Sequence, residues 1–294
     1  MNGDGLRIVV RVTPVHDCRN PVSLDPVRKR VDPSSWHWIL NPPDTIALEQ
    51  ALRIRDRFPA CRIRVVSVSP PDTDGVLREC LAAGANEVAR LWDDGLEDAD
   101  PHAIAVLLAA LILMKPFDLV LAGWRRADLE QGQTGPMLAE VLGLPQITCA
   151  RGVDPDRDLN RIRVEKRVPG SLLTLSCGVP ALVTFDKGPP LRYPRHPDRR
   201  KAGKAAIRAY DLAAVGLKEP PANLVRLERL TSPKPTRRST LGASAAMPVA
   251  ARLQRIMAGG GSAKKESNIR RCPDRASTVK AVEDLLREKL VVLP

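Results

Sequence analysis

The sequence predicts an α/β protein built on a parallel sheet, and three observations carry that expectation. Short apolar, partly β-branched runs alternate with stretches of about 10 to 15 residues whose apolar side chains recur at helical spacing. Several of the runs are apolar throughout, as strands covered on both faces are. One of them, Phe117 to Leu121, ends at Gly123 and leads through a polar loop with Asp128, Gln133 and Thr134 into a helix. Strand, polar loop and helix amino terminus together bind phosphate in open parallel sheets, because unpaired N–H groups and the helix dipole meet there.

In chain order, Leu6 to Val12 forms the first strand, bounded by Thr13-Pro14. Asn41-Pro42-Pro43-Asp44 starts a helix with Ile46, Ala47, Leu52 and Ile54 on its apolar face, and Asp44 is expected to cap its first turn. Ile63 to Val68 is the second strand, ended by Ser69-Pro70-Pro71. Val76, Leu77, Cys80 and Leu81 mark a helix stopped by Gly84, Glu87 to Leu91 a third strand, and Ala103 to Met114 an apolar helix. After the strand ending at Gly123, Met137, Leu138, Val141 and Leu142 form the helix that Gly143 and Pro145 stop. Such βαβ units wind right-handed.

Beyond Pro145 the pattern changes. Gln146 to Val153, Ile162 to Val168 and Leu172 to Ser176 are short strands separated by Asp-Pro-Asp and Pro-Gly turns, expected as antiparallel additions, and Ala181 to Phe185 is a further strand. Lys187 to about Lys204 turns to Pro, Arg and Lys and reads as an exposed arm, while Tyr210 to Leu217 is expected to dock on the body. Leu230 to Gly242 has linker composition, and Val249 to Met257 suits a short helix. Thr278 to Leu290 reads as a final amphipathic helix, capped by Ser277, with Val279, Val282, Leu286 and Leu290 as a stripe for another subunit. The expected division is a nucleotide-binding domain over 1–186, an arm over 187–217, and a linker with helical extension over 218–294.

The 294 residues are 44 % apolar and contain no run of the ~18 to 20 apolar residues that a membrane span needs. The expectation is a soluble, cytoplasmic chain. Six cysteines without a C-x-x-C pair and four dispersed histidines argue against a metal centre, and the thiols are expected free and buried. The net charge of +12 raises the question of nucleic acid. Its basic residues thicken only after Lys187, where Tyr193 and Tyr210 are the only aromatics in reach of bases, so an acidic protein partner is favoured. The chain has no Gly-x-Ser-x-Gly elbow and no P-loop lysine motif, and Val12-Thr13-Pro14-Val15-His16 is unlike the Ser-Gly-Gly-x-Asp-Ser loop of ATP-hydrolysing relatives of such folds. Any chemistry is expected to be a cofactor's, not this chain's.

Four blocks then resemble the β subunit of electron transfer flavoprotein. They are Asn41-Pro42-x-Asp44-x-Ile46-Ala47-x-Glu49-x-Ala51; Val66-Ser67-Val68-Ser69 with Leu77-Arg78-x-x-Leu81-Ala82-x-Gly84-Ala85; Gly123 through Asp128 to Gln133-Thr134-Gly135-x-Met137-Leu138-Ala139; and Leu142-Gly143-Leu144-Pro145-Gln146. Val164-Glu165, Pro180 to Thr184 and Arg192-Tyr193 continue the likeness, which covers Leu6 to about Leu217.

The resemblance implies a Rossmann-like, adenine nucleotide alpha hydrolase-like fold with an antiparallel hairpin addition and a partly extended carboxyl-terminal arm. It implies a heterodimer with an FAD-carrying α subunit, in which this chain buries AMP or a second FAD. The complex would shuttle electrons from acyl-CoA-type or other flavin dehydrogenases to a membrane quinone oxidoreductase or a related acceptor. By matched position, Asp128, Gln133, Thr134 and Gly135 fall at phosphate and ribose contacts, Val68 and Ser69 beside the adenine, Val12 and Thr13 along its edge, and Gly123 at the head of the loop. Glu165 matches an acid near the flavin-domain contact. Arg192 and Tyr193 open a partner-recognition loop that continues through Arg195, His196, Arg199, Arg200 and Lys201.

Three departures stand out. Gly132 replaces an asparagine that contacts phosphate; Arg125-Arg126 precede the loop, where a solvated setting is the favoured reading and accommodation of extra phosphate charge the alternative; and His196 stands where the family inserts a leucine into an apolar pocket. The alternative function is a stand-alone adenine-nucleotide-binding regulatory protein whose basic tail docks nucleic acid or protein.

Overall fold

The computed structural model describes residues 5–20, 24–25, 30–32, 37–226, 248–251 and 274–290; the expected linker over Leu230 to Gly242 and most of the expected helix over Val249 to Met257 lie outside them. The chain divides into two units, residues 1–231 and 232–294.

The first unit runs β1 (Arg7–Arg11), β2 (Pro14–His16), β3 (Leu24–Asp25), β4 (Arg30–Val31), β5 (Trp38–Leu40), α1 (Pro42–Arg57), β6 (Arg62–Val68), α2 (Asp74–Ala83), β7 (Glu87–Leu91), α3 (Pro101–Leu113), β8 (Leu119–Gly123), α4 (Thr134–Leu142), β9 (Gln146–Pro155), β10 (Arg161–Val168), β11 (Ser171–Gly178), β12 (Ala181–Phe185), α5 (His196–Gly203) and β13 (Arg208–Tyr210). Nine strands form one sheet in the order β11-β10-β9-β12-β8-β1-β6-β7-β13. From β9 to β13 neighbours are parallel, and only the β9–β10–β11 pairings are antiparallel.

Two sequence expectations are corrected here. β9 was expected as an antiparallel addition, but its first half pairs parallel with β12 and so belongs to the main sheet. β13 extends the sheet beside β7, where only docking was expected.

Helices cover both faces, which is why the central strands read as continuous apolar runs. On one face Ile8, Val10, Ile63 and Val65 pack with Leu48 and Leu52 of α1 and Leu77 and Cys80 of α2. On the other, Val9, Val66, Val120 and Leu182 pack with Leu107, Leu108 and Leu111 of α3 and Leu138 of α4. Glycines in left-handed or related backbone close two of the helices: Gly84, at φ 123°, donates to Cys80 and Leu81 oxygens after α2, and Gly143, at φ 63°, ends α4. Cys61 and Cys80 are buried as expected, whereas Cys18 is exposed.

Between β12 and β13 the chain is less bare than its composition suggests. α5 forms there with Ala202 buried, and the Arg78 Nε of α2 donates to the Ala205 oxygen just beyond it. In the second unit α6 spans Arg275–Leu290. Its cap is Asp274 and not Ser277: the Ser277 N–H donates to the Asp274 carboxylate at 2.7 Å, and the Ser277 side chain accepts from the Asp274 N–H. Val279 and Val282 are exposed on this helix; the side chains of Leu286 and Leu290 lie outside the described residues.

A single carboxylate fastens the end of the first unit. Asp100 caps α3 by accepting from the Ala103 N–H at 2.8 Å, and its second oxygen accepts from Leu224 and Val225 at 2.6 and 2.9 Å. Its own N–H donates to the Asn223 side chain. Burial raises this carboxyl's pKa, but the backbone donors outweigh that and hold it low. Asp100→Ala removes a helix cap and a strap at once, so urea unfolding should show a loss of about 1–2 kcal/mol. A variant as stable as the wild type would show that the strap contributes nothing.

Candidate functional site

The chain passes from β1 to β6 and β7 on one side and then returns to β8 on the other, so the strand order reverses between β1 and β8. Ligands of open α/β sheets bind outside the carboxyl ends of strands at such a point. Val12 and Thr13 follow β1, Gly123 ends β8, Val68 ends β6 with Ser69 after it, and Thr134 and Gly135 begin α4 behind Gln133. These sequence-expected residues thus share one rim, on three neighbouring strands and the helix that follows them.

A buried carboxylate organises this rim. Asp44, in the first turn of α1, is fully shielded from solvent and was expected to cap its own helix. Instead its Oδ2 accepts from the Thr13 N–H at 2.8 Å, and its Oδ1 accepts from the Gly123 N–H at 2.8 Å and from Arg11 Nη1 at 3.1 Å. Burial pushes the carboxyl above its ordinary range, while Arg11 and the N–H groups pull the other way. Gly123 has to be glycine, because a Cβ there would lie 2.6 Å from the Asp44 nitrogen and 2.7 Å from the Pro43 carbonyl carbon. Asn41 acts beside it: its Nδ2 donates to the Arg125 oxygen at 2.8 Å and its Oδ1 accepts from the Ala127 N–H at 3.0 Å, which pins the loop after β8.

Within that loop the charges close on one another. Arg126 donates to both Asp128 oxygens, at 3.0 and 2.7 Å, and Arg125 pairs with Glu130 while lying 4.4 Å over the Trp124 ring. Of the two readings of these arginines, the pairings speak against the one in which they take extra phosphate charge, and Asp128 is likewise engaged. Gly132 lies tight against the chain, since a Cβ would meet the Trp124 oxygen at 3.1 Å. α4 begins at Thr134 with no side chain capping it, so its leading N–H groups stay available. Gly135 lets this end of α4 approach β12, where a Cβ would meet Thr184 Cγ2 at 2.7 Å. On the other side of the rim, the Ser69 hydroxyl bonds those of Ser67 and Thr73, both at 3.0 Å.

The hairpin of β2 and β5 stands next to these groups. His16 stacks on Trp38 with ring centroids 4.2 Å apart, and the Trp38 indole donates to Asp72 at 2.9 Å. Burial holds the His16 pKa below its ordinary value; the charges of Asp128 and Asp72 raise it in part and that of Arg126 lowers it. Sequence reasoning missed Arg11, Asn41, Asp44 and this hairpin as site features. The Asn-Pro-x-Asp block was the available signal for Asn41 and Asp44; the sequence offered none for Arg11.

The expected partner residues lie apart from the crevice. Glu165, on β10, faces a cleft of about 640 Å³ lined also by Ile46, Arg151, Asp186 and Lys187. Arg192 folds back onto α1: it donates to Glu49 from its backbone N–H, Nε and Nη2, each at 3.0 Å, and to Asp56 from Nη1 and Nη2 at 3.1 and 2.7 Å. Beyond this anchor Tyr193, Arg195, His196, Arg199, Arg200 and Lys201 are exposed, with Arg199 over the Tyr193 ring. Among the described residues no cluster of His, Cys, Asp and Glu could hold a metal, and no helix is long and apolar enough to cross a membrane.

Comparison with known proteins agrees with this fold. Residues 31–215 match the electron transfer flavoprotein domain. Over 192 residues the chain is 34 % identical to an electron transfer flavoprotein subunit beta of Thermoanaerobacterium thermosaccharolyticum, covering 65 % of this chain and 72 % of the relative. The chain belongs to the electron transfer flavoprotein β-subunit family. The β subunit of Megasphaera elsdenii is 34 % identical over 220 residues (71 % and 80 % of the two chains), and protein FixA of Azotobacter vinelandii 32 % over 185 residues (61 % and 66 %). Membership in an electron transfer flavoprotein family implies a flavin-associated complex, pairing with an α subunit and partners in electron transfer; a stand-alone regulator is not favoured.

For this electron transfer flavoprotein chain the Arg192 anchor has a pH signature. Burial raises the Glu49 pKa but Arg192 and Arg53 outweigh it, and Arg192 lowers that of Asp56, so both carboxyls titrate lower folded than unfolded. The anchor therefore stabilises above about pH 4 and is lost as the pH falls through the folded values. Arg192→Met should cost about 1–2 kcal/mol at pH 7 in denaturant unfolding, with the gap closing below about pH 4. A gap of constant size across pH 3 to 7 would count against the ion pairs as its source.

Proposed function

We propose that this chain binds an adenine nucleotide in the β1/β8 crevice and pairs with an FAD-carrying α subunit to relay electrons between flavin dehydrogenases, of the acyl-CoA type or another, and a quinone oxidoreductase or related acceptor. The observation that carries the nucleotide is the combination of an uncapped α4 amino end with a buried guanidinium, Arg11, whose Nε has no acceptor. Both are donors waiting for an anion, so the residues present fit such a group. The flavin of the complex supplies the redox chemistry. This chain's residues would bind it and exclude water: the side chains of Gln133 and Thr134 together with the N–H groups at the start of α4 would hold the phosphate and ribose, and Val12, Thr13, Val68 and Gly123 would form walls. In this reading AMP is favoured over a second FAD, because Arg125 and Arg126 are already paired and leave less charge for a pyrophosphate.

Support for a partner subunit comes from the sheet edge. β11 ends the sheet and exposes Leu172, Leu173 and Leu175, an apolar edge of the kind a monomer avoids. Glu165 and its cleft lie on the neighbouring strand, consistent with a contact to the flavin-bearing domain. The arm from Arg192 to Lys201 then meets the redox partner. With exposed His196 at its tip and Arg195, Arg199, Arg200 and Lys201 around it, it suits an acidic docking surface better than an apolar pocket.

Coexpression with the α subunit, followed by denaturation and chromatography of the released nucleotides, tests this reading. AMP is expected beside one FAD per heterodimer, and Gln133→Ala with Thr134→Val should lower the AMP content about tenfold while FAD stays. Undiminished AMP in the double variant would place the nucleotide elsewhere, and a colourless α subunit that never copurifies would overturn the relay.

A further inference from the structure

Arg11 is the last residue of β1, opposite Val66 on β6 and Ala122 on β8. Strand alternation sets it on the same face as Val9, the face covered by α3 and α4, at the end of the sheet where α4 begins. Only 3 % of it is exposed. Of the five donors of its guanidinium, one reaches Asp44 at 3.1 Å, and Nε is buried with no acceptor. Leaving a buried donor of this kind unpaired is unfavourable. Asp44 does not demand the arginine's other edge, because two backbone N–H groups already serve it. The neighbouring loop cations are committed elsewhere, Arg125 to Glu130 and Arg126 to Asp128.

We infer that Arg11 reads the phosphate of the nucleotide, with Nε and the adjacent terminal nitrogen donating to phosphate oxygens while Asp44 holds the guanidinium in place. This rests on the adenine-nucleotide reading above. The planar fork suits two oxygens of one phosphate, and a lysine at this position offers only a point charge. Arg11 is then a specificity residue: it separates a nucleotide from its nucleoside, and the uncapped helix end adds to the same discrimination without supplying a full charge.

The test measures binding of AMP and of adenosine to the heterodimer after its nucleotide has been removed, for wild type, Arg11→Lys, Arg11→Met, and Arg11→Met combined with Asp44→Asn. The double variant removes both charges of the pair, so a folded protein remains for the measurement if the single variant, with its orphaned carboxylate, does not fold. Arg11→Met and the double variant should weaken AMP about 10- to 100-fold and leave adenosine within about threefold, with Arg11→Lys between. Equal weakening of AMP and adenosine, or unchanged AMP, overturns the assignment. A wild-type heterodimer that binds AMP while the variants keep its preference over adenosine overturns this inference alone; one that binds neither compound overturns the nucleotide reading with it.

Discussion

The structure depends on the carboxylate of Asp44. A charge with no solvent contact is tolerated only when fixed donors surround it, and here those donors are the N–H groups of Thr13 and Gly123 and the guanidinium of Arg11. Thr13 follows β1 and Gly123 ends β8, so the carboxylate spans the two strands between which the sheet reverses its order. The width of the crevice is set by this bridge and by the absence of a side chain at Gly123. A consequence follows for what the rim can offer. The Val12 N–H donates to the Val66 oxygen, and those of Thr13 and Gly123 are spent on Asp44, so these three positions present walls and not donors to a ligand. For the proposed nucleotide, polar recognition would fall to the start of α4 and the free edge of Arg11.

The same accounting changes the meaning of the basic residues near the site. Arg125-Arg126 in sequence look like a pair of phosphate ligands, and the loop contains acids at Asp128 and Glu130 that look independent of them. In three dimensions the four side chains form two internal ion pairs, closed by a turn in which Glu130 adopts a left-handed backbone and the Arg126 N–H donates to the Gln131 oxygen. The loop is thereby electrically self-contained. It shapes the mouth of the crevice and adds little charge to it, which is the physical ground for preferring one phosphate over two.

Much of this fold was legible because burial on both faces leaves a continuous apolar record: β1, β6, β7, β8 and β12 stand within a residue or two of their expected places. What periodicity does not encode is pairing direction. β9 was assigned by its turn-rich surroundings to an antiparallel ribbon, yet one edge of it runs parallel to β12 and the other antiparallel to β10, a choice set by where Ala181 to Phe185 returns to the sheet. Helix caps misled for a related reason. Asp44 and Ser277 both have the right chemistry to cap, but a cap is decided by which carboxylate or hydroxyl is nearest an open N–H, and Asp44 is drawn to donors 31 and 79 residues away. At the site, the Gln133-Thr134-Gly135 run was visible as a loop before a helix. Arg11 was hidden by its setting, since one cation closing an apolar strand reads as the point where the strand meets water.

Helix α1 connects these separate features. Asp44 in its first turn holds the crevice, Ile46 two residues on lines the cleft beside Glu165, and Glu49 and Asp56 further along hold Arg192 at the root of the arm. Twelve residues of helix between Asp44 and Asp56 measure about 18 Å, and a helix of that length is stiff compared with the loops it joins. The proposed nucleotide site, flavin-domain contact and partner arm are therefore referred to one rigid element, although they come from distant parts of the chain. A nucleotide that takes no part in electron transfer would still matter in such a protein: by occupying the crevice it would fix the end of α1, and through α1 the position from which the arm meets its partner.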